Sequence, residues 1–140
     1  MLFLWLAAGR PEPGSYENPF ADVSASDTCY KAVLWAVEKG ITNGAIDKAT
    51  GEKVFKTNET CTRGDAVTFL WRYAGRPAVP AGNPFKDVAS NKYYYKPILW
   101  AASKGITKGY GAAPNLYFKP LEECTRGHIM SFLYRYVGPE

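Results

Sequence analysis

Arg63 and Arg126 are the residues whose type and setting point to chemistry. They stand in a stretch that occurs twice: Cys61-Thr62-Arg63-Gly64-Asp65-Ala66 runs into Phe69-Leu70-Trp71-Arg72, and Cys124-Thr125-Arg126-Gly127-His128-Ile129 runs into Phe132-Leu133-Tyr134-Arg135. Each copy reads as the opening of a helix. A helix start leaves backbone N–H groups unpaired and favours negative charge, so it suits an anion. A cation there is disfavoured by roughly 0.3 to 1 kcal/mol, and each arginine calls for a negative partner. A carboxylate fits best, because the planar guanidinium holds both of its oxygens. The competing reading pairs each arginine with an internal acid such as Asp22 or Asp87. Neither reading is catalytic: no repeated carboxylate pair, no Ser-His-Asp or Cys-His-Asn arrangement is legible, and the single histidine, His128, is unrepeated. Cysteines at 29, 61 and 124 show no zinc-ligand spacing with it, so no metal and no cofactor is expected.

The neighbours of the arginines have simpler explanations beside the ligand-binding one. Thr62 with Asp65 three residues on matches a capping box, with aspartate reaching less far than the usual glutamate. Thr125 can cap in the same way, but His128 replaces the acid, which breaks the box. Cys61 and Cys124 precede the caps and read as small apolar staples against Ala66 and Ile129. Three thiols cannot all pair with one another, and a Cys29–Cys61 disulfide is left open. Aromatic faces could stack on sugar rings. Trp71, equivalent to Trp5 and Tyr134, is the candidate for that role, while Trp35 and Trp100 read as core. Gly44 and Gly109 either let a ligand approach the backbone or satisfy a turn.

These residues are positioned by a repeat. Asn18-Pro19-Phe20-Ala21-Asp22-Val23 returns as Asn83-Pro84-Phe85-Lys86-Asp87-Val88, Leu34-Trp35-Ala36 as Leu99-Trp100-Ala101, and Lys39-Gly40-Ile41-Thr42 as Lys104-Gly105-Ile106-Thr107. The opening Phe3-Leu4-Trp5-Leu6-Ala7-Ala8-Gly9-Arg10-Pro11 matches Phe69 to Pro77, so it reads as the tail of a further repeat. It lacks the positive start of a signal peptide and its apolar run is short. Residues 1–17 are assigned to that tail and a linker, 18–82 to one repeat and its linker, and 83–140 to the next. Within a repeat, Asp27 or Thr28 can cap a helix that Gly40 ends, residues 41–60 read as an ordered loop, and a second helix runs from Thr62 to about Ala74. Ala66, Phe69, Leu70 and Tyr73 recur at the helical period and predict its buried stripe, as do Ile129, Phe132, Leu133 and Tyr136 in the second copy. The 140 residues, 46% hydrophobic, suffice for a core. A net charge of +4 without any basic arm favours an anionic partner only mildly and gives no support for nucleic acid. No run approaches the roughly 18 apolar residues of a membrane span.

Phe-x-Asp-Val, an aromatic helix ending in Trp-Ala, Gly-Ile-Thr-x-Gly and then Thr-Arg-Gly at a last helix, in that order and twice over, resemble the S-layer homology domain. The resemblance covers about residues 18 to 75 and 83 to 138, with the end of a preceding unit at Met1 to Arg10. It implies a mainly α fold of tandem helix-loop-helix repeats packed as a pseudo-symmetric bundle. It also implies an extracellular anchoring module, a piece of a larger secreted protein, whose inter-repeat grooves hold anionic cell-wall polysaccharide carrying ketal-linked pyruvate. The ligand-binding residues expected on that basis are Arg63, Arg126, Thr62, Thr125, Asp65, Trp71, Gly44 and Gly109. The family commonly stacks three units, so a sister chain completing the assembly is a further expected partner. A protein-binding or adhesin role for the same grooves is the alternative.

Overall fold

The computed structural model describes residues 1–14, 17–56 and 60–137, with the side chain of Arg126 excepted. Helices dominate. The chain divides into two compact units, Met1–Glu59 and Thr60–Glu140, so the second helix of the first sequence repeat belongs to the second unit. Among the described residues no helix is long and apolar enough to cross a membrane.

In the first unit, α1 (Leu2–Ala7) packs against α2 (Tyr30–Glu38), and a short antiparallel hairpin follows, β1 (Ala45–Ile46) with β2 (Lys53–Val54). In the second, α3 (Arg63–Tyr73) packs against α4 (Tyr95–Ser103) and α5 (Arg126–Val137), with a hairpin of β3 (Tyr110–Ala112) and β4 (Asn115–Tyr117) between the last two helices in sequence. The hairpins add strand pairing to what reads in sequence as an ordered loop. Their strands are two or three residues long, too short for alternation to register in sequence.

The repeated Asn-Pro-Phe-x-Asp-Val segment explains how each hairpin is held. Asn18 and Asn83 accept from the N–H of Phe20 and Phe85 (both 2.9 Å), and their amides donate back to the carbonyls of Val23 and Val88. This turn drives Phe20, Val23, Phe85 and Val88 into the core. The aspartate between them is a clamp. Asp22 accepts from Phe55 N (2.8 Å) and Lys56 N (2.6 Å), and Asp87 from Phe118 N (2.8 Å) and Lys119 N (2.7 Å). Lys56 and Lys119 are both held at left-handed φ, 68° and 61°, a conformation that non-glycine residues adopt only when the surroundings enforce it.

Two expectations change. Neither Asp27 nor Thr28 caps α2: Cys29 is the cap residue, without a side-chain hydrogen bond, and the Asp27 carboxylate accepts from Ser24 N instead (2.8 Å). On α3 the buried face is broader than the predicted stripe. Leu70 is buried, but Ala66 and Phe69 are half-buried and Tyr73 is exposed, while Arg63, Gly64, Val67 and Thr68 are buried. Two neighbours, α4 and α5, cover this helix, so more than one stripe is enclosed. Thr68 tolerates burial because its hydroxyl donates to Gly64 O at 2.7 Å. In α5 Phe132 and Leu133 are buried and Ile129 and Tyr136 half-buried.

Candidate functional site

Arg63 is the first residue of α3, and only 4% of its surface is exposed. The carbon at the centre of its guanidinium lies 4.8 Å from the ring centres of Tyr110 and Phe118 and 5.3 Å from that of Phe132, and Nε donates to Phe118 O at 3.0 Å. Three negative ring faces and one carbonyl therefore carry the desolvated charge. No ion pair joins Arg63 to a carboxylate among the described residues, so the internal-acid reading does not hold for it. Asp87, one of the acids considered, is engaged with the two backbone N–H groups of its clamp.

The start of α3 differs from the anion site that its sequence suggests. Its first four N–H groups are all taken: Arg63 N by Glu122 O (2.9 Å), Gly64 N by Pro120 O (2.8 Å), Asp65 N by Thr62 Oγ1 (3.1 Å) and Ala66 N by Thr62 O (3.0 Å). Any anion here must be met by the guanidinium and not by the helix end. Thr62 and Asp65 form the capping box, the return bond from Thr62 N to Asp65 Oδ2 being long at 3.4 Å, as the shorter aspartate requires. The other Asp65 oxygen accepts from the hydroxyl of Tyr93.

A second cation lies close to one of these rings. Lys119 Nζ lies 4.4 Å from the Tyr110 ring centre, so Tyr110 is shared by Arg63 and Lys119. Sequence reasoning missed both residues. Tyr110 stands where the first repeat has Ala45, and the signal for Lys119 was its place directly after Phe118, opposite Asp87.

The remaining candidates fall in different places. At α5, Thr125 Oγ1 accepts from His128 N (3.1 Å), and the Arg126 side chain lies outside the described residues. Among the described residues the buried Nδ1 of His128 has no hydrogen-bond partner. Trp71 is half-buried and its Nε1 donates to Pro77 O (3.0 Å), as Trp5 Nε1 does to Pro11 O (2.8 Å). Its polar edge thus locks the helix end, which leaves only the ring face for a ligand. Gly44 and Gly109 have φ of 71° and 68°, and a Cβ on them would come within 2.3 Å of the Phe20 ring and 2.6 Å of the Phe85 ring. Turn geometry and packing account for both glycines. Trp35 and Trp100 are buried, as their core reading holds. At the far end of α3 from Arg63, a cavity of about 310 Å³ opens between Trp100, Tyr136, Lys104 and Arg135, and Arg135 Nη1 donates to Ile106 O (3.2 Å). All three cysteines are free thiols, so the Cys29–Cys61 disulfide is not formed. The described residues hold no cluster of His, Cys, Asp and Glu suited to a metal.

No curated protein and no solved structure matches the chain. The S-layer homology domain family matches it twice, at residues 19–67 and 84–129, which together cover more than half of its length. The two matched segments contain both clamp aspartates and both Thr-Arg-Gly helix starts, and the chain belongs to the S-layer homology domain family.

Proposed function

We propose that this cell-surface anchoring module, which binds cell-wall polymer, takes an acidic secondary polysaccharide without catalysing its conversion. The acidic substituent, ketal-linked pyruvate being the best chemical fit, is held by the outer nitrogens of Arg63 with Lys119 beside it. Arg126 plays the same part at the second helix start. The capping residues Thr62, Asp65 and Thr125 set the backbone, and the ring face of Trp71 is the stacking surface for a sugar. The observation that carries the reading is a guanidinium removed from water that no carboxylate balances among the described residues. A buried cation of this kind gains from an external anion because the rings have already met much of its desolvation cost.

The test is sedimentation with purified cell walls. Untreated walls are expected to deplete the protein from solution, and walls stripped of pyruvate to leave at least about tenfold more unbound, the loss of one charge-assisted contact. Equal depletion by both preparations would remove the acidic-substituent reading.

A specific observation favours a second partner, a further unit of the same family. On α5, Met130, Tyr134 and Val137 are 53%, 63% and 65% exposed. They correspond to Val67 and Trp71 on α3 and to Ala74 at its C-cap; α4 packs against α3, and Val67 is fully buried. The stripe therefore fits a helix of the α4 type, supplied by a sister chain. Sedimentation equilibrium is expected to show concentration-dependent association that Tyr134→Lys abolishes. A wild-type protein that remains monomeric at every concentration would eliminate it.

A further inference from the structure

The lead-in to α3 and the lead-in to α5 meet as an antiparallel bridge. Thr62 pairs with Glu123, flanked by hydrogen bonds from Cys124 N to Cys61 O (2.7 Å) and from Arg63 N to Glu122 O (2.9 Å). In this register Cys61 lies directly across from Cys124. Residues facing each other in an antiparallel pair project side chains to the same side, with Cα atoms about 5.5 Å apart at a hydrogen-bonded position. That separation falls within the roughly 4.4 to 6.8 Å that a disulfide spans. We propose that Cys61 and Cys124 are a built disulfide site, a covalent staple between the two Thr-Arg-Gly helix starts that closes under the oxidising conditions of a cell surface.

The pairing is specific. These two cysteines occupy the same position in successive repeats, and the packing of one repeat position against its own equivalent brings them together. Cys61 is half-buried and Cys124 buried, so the oxidant meets Cys61 first. The Cys61 thiolate attacks one sulfur of a low-molecular-weight disulfide such as oxidised glutathione. The S–S bond of the oxidant breaks, one thiolate leaves and takes up a proton, and a mixed disulfide remains on Cys61. The Cys124 thiolate then attacks the Cys61 sulfur and expels the second thiol. The protein dithiol is oxidised by two electrons, one oxidant disulfide is reduced to two thiols, and the atoms balance.

Burial sets the rate. It pushes the Cys61 thiol up to about 12, with Asp65 and Cys124 adding to the effect, and the Cys124 thiol up to about 11. Few thiolates exist at neutral pH, so closure is slow there and accelerates about tenfold per pH unit between 7 and 9. Once closed, the staple spans a long loop and fixes the segment that supplies the Glu122 and Pro120 carbonyls to α3.

The experiment oxidises the full chain in a glutathione buffer at pH 8.5, blocks residual thiols and maps the peptides by mass. The expected product joins the Cys61 and Cys124 peptides with loss of two hydrogens and leaves Cys29 blocked. Its Tm is raised by about 10 °C and returns on reduction. Cys29→Ser should behave identically, and Cys124→Ser should stop at a glutathione adduct on Cys61 with no rise in Tm. A linked peptide containing Cys29, adducts without closure in the wild type, or three thiols still reduced at equilibrium would each overturn the proposal.

Discussion

Arg63→Ala is expected to destabilise the chain by about 3 kcal/mol, a fall in Tm of at least about 10 °C, and to abolish wall binding. The sign is a contest between two terms. Removing a cation from the first turn of a helix relieves roughly 0.3 to 1 kcal/mol of unfavourable interaction with the dipole. Against that stand three ring contacts, worth about 0.5 to 2 kcal/mol each for a desolvated cation, one hydrogen bond to Phe118 O, and the void left among Tyr110, Phe118 and Phe132. Packing and cation–π attraction win. Arg63→Lys separates fold from function, since it keeps the charge but loses the planar fork and most of the stacking. Thermal melts and wall sedimentation on both variants read the two effects apart: the lysine variant should retain more than half of the stability and still bind walls at least about tenfold more weakly.

The second large effect is on the hairpin clamp. Asp87→Ala removes two charge-assisted bonds, from Phe118 N and Lys119 N, each worth about 1.5 kcal/mol where it is shielded from water. One of the two is solvent-exposed, which lowers the expected total to about 2 kcal/mol. The consequence reaches the site, because Phe118 supplies both a ring and a carbonyl to Arg63, and Lys119 is held at a φ of 61° by this clamp. Asp87→Asn retains one acceptor oxygen and should lose about half as much. Urea midpoints at constant m-value measure both losses. An alanine variant as stable as the wild type would show that the hairpin holds itself.

Much of the helical frame was legible in the residues. The Thr62 cap, the Gly40 stop and the α3 boundaries follow from local rules, because capping and left-handed glycine act within one turn of chain. The resemblance carried by Phe-x-Asp-Val and Thr-Arg-Gly was also sound, yet the reason those residues recur was not visible. Asp22 and Asp87 looked like possible partners for arginine, whereas their partners are backbone N–H groups more than thirty positions along the chain, which no local pattern encodes. The same limit hid the Arg63 cage. Tyr110, Phe118 and Phe132 come from a hairpin, its exit and a helix, and only the fold brings them together. The expectation of free N–H groups at α3 failed for a related reason: Glu122 and Pro120, distant in sequence, fill the first two.

The central claim is that the Arg63 guanidinium, enclosed by rings and unmatched by a carboxylate among the described residues, receives an acid from outside the chain. Side-chain nitrogen NMR of Arg63, during titration with a pyruvylated disaccharide and with the same disaccharide lacking pyruvate, tests it most directly. The expected result is a saturable shift of the Arg63 terminal nitrogens with the first sugar and none with the second. Saturable shifts elsewhere in the protein with Arg63 unmoved by either sugar would contradict it.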